Sequence, residues 1–259
     1  MPGGVGGVRS LSTAPYPDYT PGHRALGTTG TEMTTASSEQ AETQDIDLTH
    51  CSAMIFGTPM IAYPWPESDR LNEALRDVIL AREKESKGLV RSNVHGWHSD
   101  TDFFTWDAEC VRTLRNRVQQ LTISLTRRIM LTPEGPRRFN YRLDGWANVG
   151  RRGSYNTVHN HPNCLWSGTY YVAAGQPDQD AGTQNGKLEL LDPRVGANMM
   201  YIKGTRLESR FIVDPLPGLT VMFPSWVNHL VHPFAGEGER ISVAFNIVTT
   251  EVPTAEQLA

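Results

Sequence analysis

The sequence of 259 residues contains little cysteine, no excess of basic residues and no long apolar run. Its three cysteines form no CxxC pair, which argues against a disulfide scaffold or a cysteine-based zinc site and favours a reducing compartment. Lysine and arginine number 24 against 28 acidic residues, whereas a general nucleic-acid binder would be basic. No apolar stretch is long enough for a membrane span or a secretion signal. We therefore expect a cytoplasmic protein with neither nucleic acid nor membrane as a partner.

Composition divides the chain into a tail and one domain. Residues 1–45 are rich in Gly, Ser, Thr, Pro and Glu and carry few large apolar side chains. Such a segment buries too little surface to offset the entropy of ordering, so we expect a disordered tail. Residues 46–259 are expected to form a single domain, with helical support over 66–130 and a β-rich core over 138–250.

Two amphipathic helices are predicted ahead of the β-rich part. The first follows Ser68, a typical N-cap residue. Its apolar face consists of Leu71, Leu75, Val78 and Ile79. The second runs from about Asp107 to Ile129, with an apolar face of Val111, Leu114, Val118, Leu121 and Leu125. We interpret both helices as supports that pack against a sheet.

From Arg138 onward the pattern changes to short runs of β-branched and aromatic residues. Seven such runs follow one another, and Gly, Pro, Asn and Asp separate them. This spacing is typical of an antiparallel sandwich or jelly roll, so the sequence predicts a mainly β fold.

His159 and His161 lie two residues apart in a strand-like stretch. Residues i and i+2 of a strand point to the same face, so both imidazoles would enter one side of the sheet. Such a pair can begin a mononuclear metal site, and the alternative is two polar residues on a solvent-facing surface. His229, at the end of the run LTVMFPSWVNH, is a further candidate ligand.

Arg240 and Ser242 share one face of the next run, RISVAFNIV. A guanidinium group can bind a carboxylate through two hydrogen bonds, and a serine hydroxyl can add a third. A buried arginine without an anion is costly, so Arg240 implies a carboxylate of the protein or of a ligand if this strand is buried. The alternative is an exposed arginine on an edge strand.

A second histidine motif, His98-Ser99-Asp100, spells HxD, the usual start of a site with two histidines and one carboxylate around iron. It precedes a predicted helix and not the strand series. We interpret it as a segment that leads into the helix, with Asp100 or Asp107 close to the positive end of the helix dipole.

Three ordered motifs resemble those of the iron(II)- and 2-oxoglutarate-dependent oxygenases, which have a double-stranded β-helix, or cupin-like jelly-roll, fold. They are GSYNTVHNHPNCLWSGTYYV, GKLELLDPR and PGLTVMFPSWVNHLVHPFAGEGERISVAFN. The chain is most similar to a bacterial and phage group that carries the motif HxHP at this position. It is more distantly similar to the prolyl-hydroxylase branch. The resemblance implies Fe(II) and 2-oxoglutarate as cofactors, O2 as cosubstrate, and hydroxylation of a C–H bond in a small molecule or peptide. It leaves the oligomeric state open.

The resemblance also implies roles for individual residues. His159 and His229 match the first and the distal metal ligand, and Arg240 with Ser242 matches the pair that binds 2-oxoglutarate. Tyr171 matches a tyrosine that binds 2-oxoglutarate in the prolyl-hydroxylase branch, and a core aromatic residue is its alternative.

His161 stands where most of the family has the carboxylate of HxD. Three neutral histidines leave the full charge of Fe(II) in place, which suits a dianionic ligand, but three-histidine sites are also typical of zinc. His161 is the candidate third ligand because its spacing places it beside His159. Asp192 is the alternative, although it is expected in a turn before Pro193.

The alternative function is a cupin-like three-histidine metalloprotein, either a zinc hydrolase or a dioxygenase that needs no cosubstrate. Arg240 discriminates between the oxygenase and the zinc hydrolase, because a hydrolase has no use for a carboxylate-binding arginine. A β-sandwich binding module with incidental histidines is a third interpretation. Substrate-side residues could include Trp166, Trp226 and Asn228, with core packing as the alternative for the tryptophans.

Overall fold

The computed structural model describes residues 57–129, 131–132, 135–136, 139–199, 202 and 208–251. The predicted tail over 1–45 lies outside these residues, so the division into a tail and one domain stays a prediction. The helices and strands fall within one compact unit, Pro59–Lys203 with Leu207–Ala259. In the described part of the chain, no helix is both long and apolar enough to cross a membrane.

The described residues form two α-helices and eleven β-strands. The helices are α1 (Asp69–Glu85) and α2 (Glu109–Ile129). The strands are β1 (Ile61–Pro64), β2 (Asn93–His98), β3 (Leu131–Thr132), β4 (Gly135–Pro136), β5 (Phe139–His159), β6 (Trp166–Pro177), β7 (Leu188–Leu191), β8 (Arg210–Val213), β9 (Leu219–Pro224), β10 (His229–Val231) and β11 (Gly236–Glu251). Short 3₁₀ turns occupy Phe103–Thr105 and Ala197–Met199.

Nine strands form one curled antiparallel sheet in the order β1-β9-β6-β11-β5-β10-β7-β8, with β2 added alongside β5. The sheet curls because β5 changes partner along its length. Its residues 139–150 pair with β11, whereas Asn156 and His159 pair with β10. The predicted mainly β jelly-roll architecture with two supporting helices is confirmed. Two of the predicted runs, on either side of Gly153, form one strand. This strand, β5, has 21 residues, because Gly153 adopts a φ of 86° without ending it.

The two helices cover one face of this sheet, and β11 shows how its two faces differ. Both predicted apolar stripes pack into the core, where α1 buries Leu75 and Ile79 completely. Alternate residues of β11 join them, namely Ile241, Val243, Phe245 and Ile247. Each fully buried apolar side chain stabilises the fold by about 1.5–3 kcal/mol. The intervening residues line a cavity on the other face, namely Arg240, Ser242, Ala244 and Asn246.

Ser68 precedes α1 as predicted, but its side chain does not cap the helix. Its backbone is already in the right-handed helical region (φ −91°, ψ −7°), not in the extended region that directs a capping hydroxyl to the free N–H groups. Ser68 Oγ instead donates to the Trp65 carbonyl at 3.0 Å and accepts from Arg117 Nη1 at 2.8 Å. The hydroxyl therefore links the start of α1 to α2.

The segment His98-Ser99-Asp100 does not lead directly into a helix, so that part of the interpretation was wrong, whereas Asp107 lies two residues before the start of α2 as expected. His98 is the last residue of β2, lies opposite Asn148 of β5, and is buried. Its ring stacks on Trp146, with centroids 5.4 Å apart. The pairing of β2 with β5 is a long-range contact, which the local pattern of apolar residues does not encode. Asp100 is exposed.

Candidate active site

Three histidines converge where β5 ends and β10 begins. His159, the last residue of β5, lies opposite His229, the first residue of β10. His161 follows β5 by two residues, and its ring centroid lies 5.0 Å from that of His159 and 5.2 Å from that of His229. One ring nitrogen from each histidine lies within 4.8 Å of the others, so the three could hold one metal ion.

Backbone carbonyls orient two of these imidazole rings. His159 Nδ1 donates to the Thr157 carbonyl at 2.7 Å, and His229 Nδ1 donates to the Val227 carbonyl at 2.9 Å. In both cases the acceptor lies two residues upstream. A proton on Nδ1 leaves Nε2 with a free lone pair, which is the arrangement in which histidine binds a metal. Ser92 Oγ lies 3.4 Å from His159 Nε2, which is too far for a strong hydrogen bond.

Burial keeps the three imidazoles neutral at pH 7. Desolvation lowers the pKa of His159. Desolvation, together with the neighbouring histidines, lowers the pKa of His161 to about 4 and that of His229 to about 3. Metal ions compete with protons for imidazole, so a cluster that is already deprotonated binds a metal without that competition.

No aspartate or glutamate of the described residues joins this cluster. Asp192, the alternative third ligand, lies in a turn. Its Oδ1 accepts from the Arg194 backbone N–H at 3.0 Å, and its carboxylate pairs with the Arg194 guanidinium at 2.5 Å. That arginine lowers the pKa of Asp192. The structure therefore brings His161, and not Asp192, to the other two histidines.

A buried guanidinium group lies in the same cavity as the histidines. Arg240 donates from Nε to the Gly186 carbonyl at 2.9 Å and makes no ion pair with any described carboxylate. Its Cζ lies 5.5 Å from the ring centroid of Tyr171, and Ser242 pairs with Tyr171 across β11 and β6. Desolvation lowers the pKa of Arg240, because burying this cation without an anion disfavours its charged form.

The hydroxyl of Tyr171 is a buried polar atom without a hydrogen-bond partner in the described part of the chain. Burial raises the pKa of Tyr171 to about 12, so the phenol remains a donor at pH 7. A buried donor without an acceptor is costly. The ring of Tyr171 packs in a core cluster, but its hydroxyl lacks a partner among the described residues, and an acceptor from a ligand would complete it.

A cavity of about 410 Å³ contains both groups of residues. The histidines provide lone pairs for a metal ion, while Arg240, Ser242 and Tyr171 provide donors for an anion. Since the guanidinium has no anionic partner among the described residues and the phenol has no acceptor, a carboxylate fits their chemistry. The residues present are therefore suited to Fe(II) together with a dicarboxylate such as 2-oxoglutarate.

Part of the cavity wall was missed by sequence reasoning. This part is formed by His98 of β2, by Arg91 and Ser92 just before β2, and by Trp146 and Asn148 of β5. These positions depend on the pairing of β2 with β5. Asn246 was also missed, although continuing the alternation of β11 beyond Ser242 would have found it. Among the described residues, none that lines the cavity is an aspartate, glutamate or lysine.

The two tryptophans considered for the substrate side differ in burial. Trp166 is buried, and its Nε1 donates to Thr126 Oγ1 at 2.9 Å, so it packs in the core as the alternative expected. Trp226 is 51% exposed, so the core interpretation was wrong for this residue. It lies in the turn between β9 and β10. Asn228 accepts from Asn160 Nδ2 at 3.0 Å.

Comparisons with known proteins agree with this geometry. Residues 144–246 match the family described as "Putative 2OG-Fe(II) oxygenase", a segment that contains the three histidines and Arg240. The fold is similar to a prolyl-4-hydroxylase from Pseudomonas putida, with 16% identity, a TM-score of 0.50, and coverage of 73% of this chain and 91% of that one.

The fold is also similar to the non-haem α-ketoglutarate-dependent epimerase SnoN of nogalamycin biosynthesis, with 10% identity, a TM-score of 0.52, and coverage of 76% of this chain and 81% of that one. At such identities these likenesses concern the fold alone. No curated protein sequence matches the chain. The segment of this chain that carries the three histidines and Arg240, residues 144–246, is thus similar to the 2OG-Fe(II) oxygenase family.

Proposed function

We propose that the protein is a dioxygenase that depends on 2-oxoglutarate and Fe(II), and that it uses O2 to hydroxylate a C–H bond of a small-molecule or peptide substrate. The observation that carries this proposal is the presence, in one cavity, of three neutral histidines and a buried arginine that lacks an anion. Bound Fe(II) and 2-oxoglutarate supply the oxidative chemistry: one oxygen atom of O2 enters succinate, CO2 is released, and the other oxygen atom goes to the substrate.

In this proposal His159, His161 and His229 hold Fe(II). The neutral form of each imidazole and the Nδ1–H donation by His159 and His229 support that role. Because no carboxylate balances the ion, the full charge of Fe(II) is available to attract a dianion. The chain contributes a fixed set of donors in a partly enclosed cavity, which positions the reactants and limits the access of water.

Arg240 binds the carboxylate of 2-oxoglutarate that lies farther from the metal. The rigid fork of guanidinium donors matches a carboxylate, and Tyr171 and Ser242 each add a hydroxyl donor. The pairing of Ser242 with Tyr171 on adjacent strands supports this grouping. These three residues also separate the oxygenase from the alternative of a three-histidine zinc hydrolase, which would leave the guanidinium and the phenol unused.

The substrate is proposed to approach along the wall formed by β2 and the adjoining part of β5. Three side chains of this wall, His98, Trp146 and Asn148, line the cavity, and Arg91 adds a positive charge. Since none of the described residues that line the cavity is acidic or a lysine, this wall favours a polar substrate that is neutral or negatively charged. The epimerase among the similar folds shows that this architecture hosts reactions other than hydroxylation.

The test is to load the purified protein with Fe(II) or with Zn(II) and measure succinate formed from 2-oxoglutarate and O2. We expect succinate with Fe(II) only, because zinc has no redox chemistry. Oxygenases of this type consume some 2-oxoglutarate without substrate, so the measurement needs no identified substrate. Hydrolytic activity with Zn(II), and no succinate with Fe(II), would instead support the zinc hydrolase.

A further inference from the structure

The third histidine of the cluster is oriented differently from the other two. His159 and His229 each donate Nδ1–H to a carbonyl two residues upstream. His161 lies beyond the end of β5, and its ring makes no such contact with the backbone of the residues that the structure describes. Its Nδ1 lies 3.3 Å from Nδ2 of Asn246, which is on the cavity face of β11.

The amide of Asn246 is held from its other side by Ser167. Ser167 Oγ donates to Asn246 Oδ1 at 2.8 Å. In this arrangement the amide donates to His161 Nδ1, so the ring proton must be on Nε2. A protonated Nε2 has no lone pair, and His161 in this form cannot bind a metal through Nε2.

A half-turn of the amide removes this conflict. The oxygen and nitrogen of an asparagine amide have nearly the same size, so exchanging them leaves the packing unchanged. Oδ1 then accepts a proton from His161 Nδ1, and Nδ2 donates to Ser167 Oγ, which accepts as readily as it donates. Both atoms of the amide keep a partner, and Nε2 of His161 is free.

We infer that Asn246 is a positioning residue for the third metal ligand. Metal binding selects the amide orientation in which Oδ1 accepts Nδ1–H of His161 and Ser167 holds the amide in place. The side chain of Asn246 thus does for His161 what the Thr157 and Val227 carbonyls do for the other two histidines. This inference rests on the proposed function, because it takes His161 as a ligand.

The experiment measures Co(II) affinity under anaerobic conditions by competition with a coloured chelator. Asn246→Leu has a similar volume but no acceptor, and we expect it to weaken Co(II) binding about 10- to 100-fold, the usual effect of losing a residue that orients a ligand. Asn246→Asp restores an acceptor, so its affinity should return to that of the wild type or exceed it. The visible spectrum of bound Co(II) should change in the leucine variant and be preserved in the aspartate variant.

Asn140→Leu provides the matched control, because Asn140 is an exposed residue at the other end of β5. Wild-type affinity in Asn246→Leu, or equal losses in the leucine and aspartate variants, would overturn the inference. If His161→Ala loses Co(II) while Asn246→Leu does not, the inference alone fails. If the wild type binds no Co(II), both the proposed metal site and the inference on Asn246 fail.

Discussion

His159 and His229 are direct partners across the junction of β5 and β10, with ring centroids 4.2 Å apart. Two antiparallel strands thus bring together histidines that are distant in sequence. The pairing fixes their backbones, and the carbonyls of Thr157 and Val227 fix their rings. The metal site proposed for this protein depends on this pair more than on any other contact.

Substitution of either partner should therefore remove the metal. His159→Ala and His229→Ala are each expected to abolish Fe(II) binding and succinate formation, while changing the free energy of unfolding of the metal-free protein by no more than about 1–2 kcal/mol. Metal content after gel filtration and thermal unfolding check the two effects. His95→Asn is the control, since His95 is exposed. Normal turnover in either alanine variant would show that the site is elsewhere.

His161→Asp should retain the metal, because it restores the more common combination of two histidines and one carboxylate. His161→Ala should lose affinity for Fe(II), since only two ligands remain. A chelator competition with Fe(II) compares the two variants with the wild type. If His161→Ala binds Fe(II) as tightly as the wild type, the third ligand is another group, and Asp192→Asn is then the next variant to measure.

Arg240→Ala should weaken 2-oxoglutarate binding and leave the metal in place. Removing one partner of a buried charge pair costs about 2–5 kcal/mol, which corresponds to roughly 30-fold to several thousand-fold in Kd. Arg240→Lys should fall between the wild type and Arg240→Ala, because a lysine cannot form two parallel hydrogen bonds to a carboxylate. Calorimetric titration of the iron-loaded protein under anaerobic conditions measures the three affinities.

A surface arginine supplies the control for this titration. Arg142 is exposed and pairs with Asp144 on the same strand, so Arg142→Ala should not alter the affinity for 2-oxoglutarate. Unchanged affinity in Arg240→Ala would remove the main reason to prefer an oxygenase over a three-histidine hydrolase.

Tyr171→Phe should act in opposite directions on stability and on binding. The phenol lacks a partner in the ligand-free protein, so its removal should leave the free energy of unfolding unchanged or raise it by up to about 1–3 kcal/mol. The same change should weaken 2-oxoglutarate binding by about 0.5–1.5 kcal/mol, because one hydrogen bond to the carboxylate is lost. Denaturant unfolding and calorimetry measure the two effects. A destabilised variant with normal affinity would identify Tyr171 as a core residue.

Sequence and structure agree best on positions that follow from a local periodicity, and this agreement concerns where the residues lie, not what they do. Arg240 and Ser242 share a face because they are two residues apart on β11. His161 lies near His159 as its spacing indicated, although it follows the end of β5. The amphipathic stripes of α1 and α2 are equally local, and both face the core. For these elements, the period of the sequence is sufficient to identify the buried face.

The residues that were missed or misassigned depend on contacts between distant parts of the chain. His98 lines the cavity because β2 pairs with β5, and the local sequence does not specify that pairing. Trp226 is exposed because it lies in the turn between β9 and β10, although a tryptophan is usually buried. The Ser68 hydroxyl binds Arg117 of α2, a tertiary contact that displaces the expected cap. Tertiary packing decided each of these cases.

Anaerobic addition of Fe(II) to the protein with 2-oxoglutarate tests the central claim most directly, because a keto acid that chelates Fe(II) gives a weak visible charge-transfer band. We predict this band for the wild type, its absence in His229→Ala, and its appearance only at higher 2-oxoglutarate concentrations in Arg240→Ala. No band in the wild type, with Zn(II) bound tightly by the same histidines, would contradict a site shared by Fe(II) and 2-oxoglutarate.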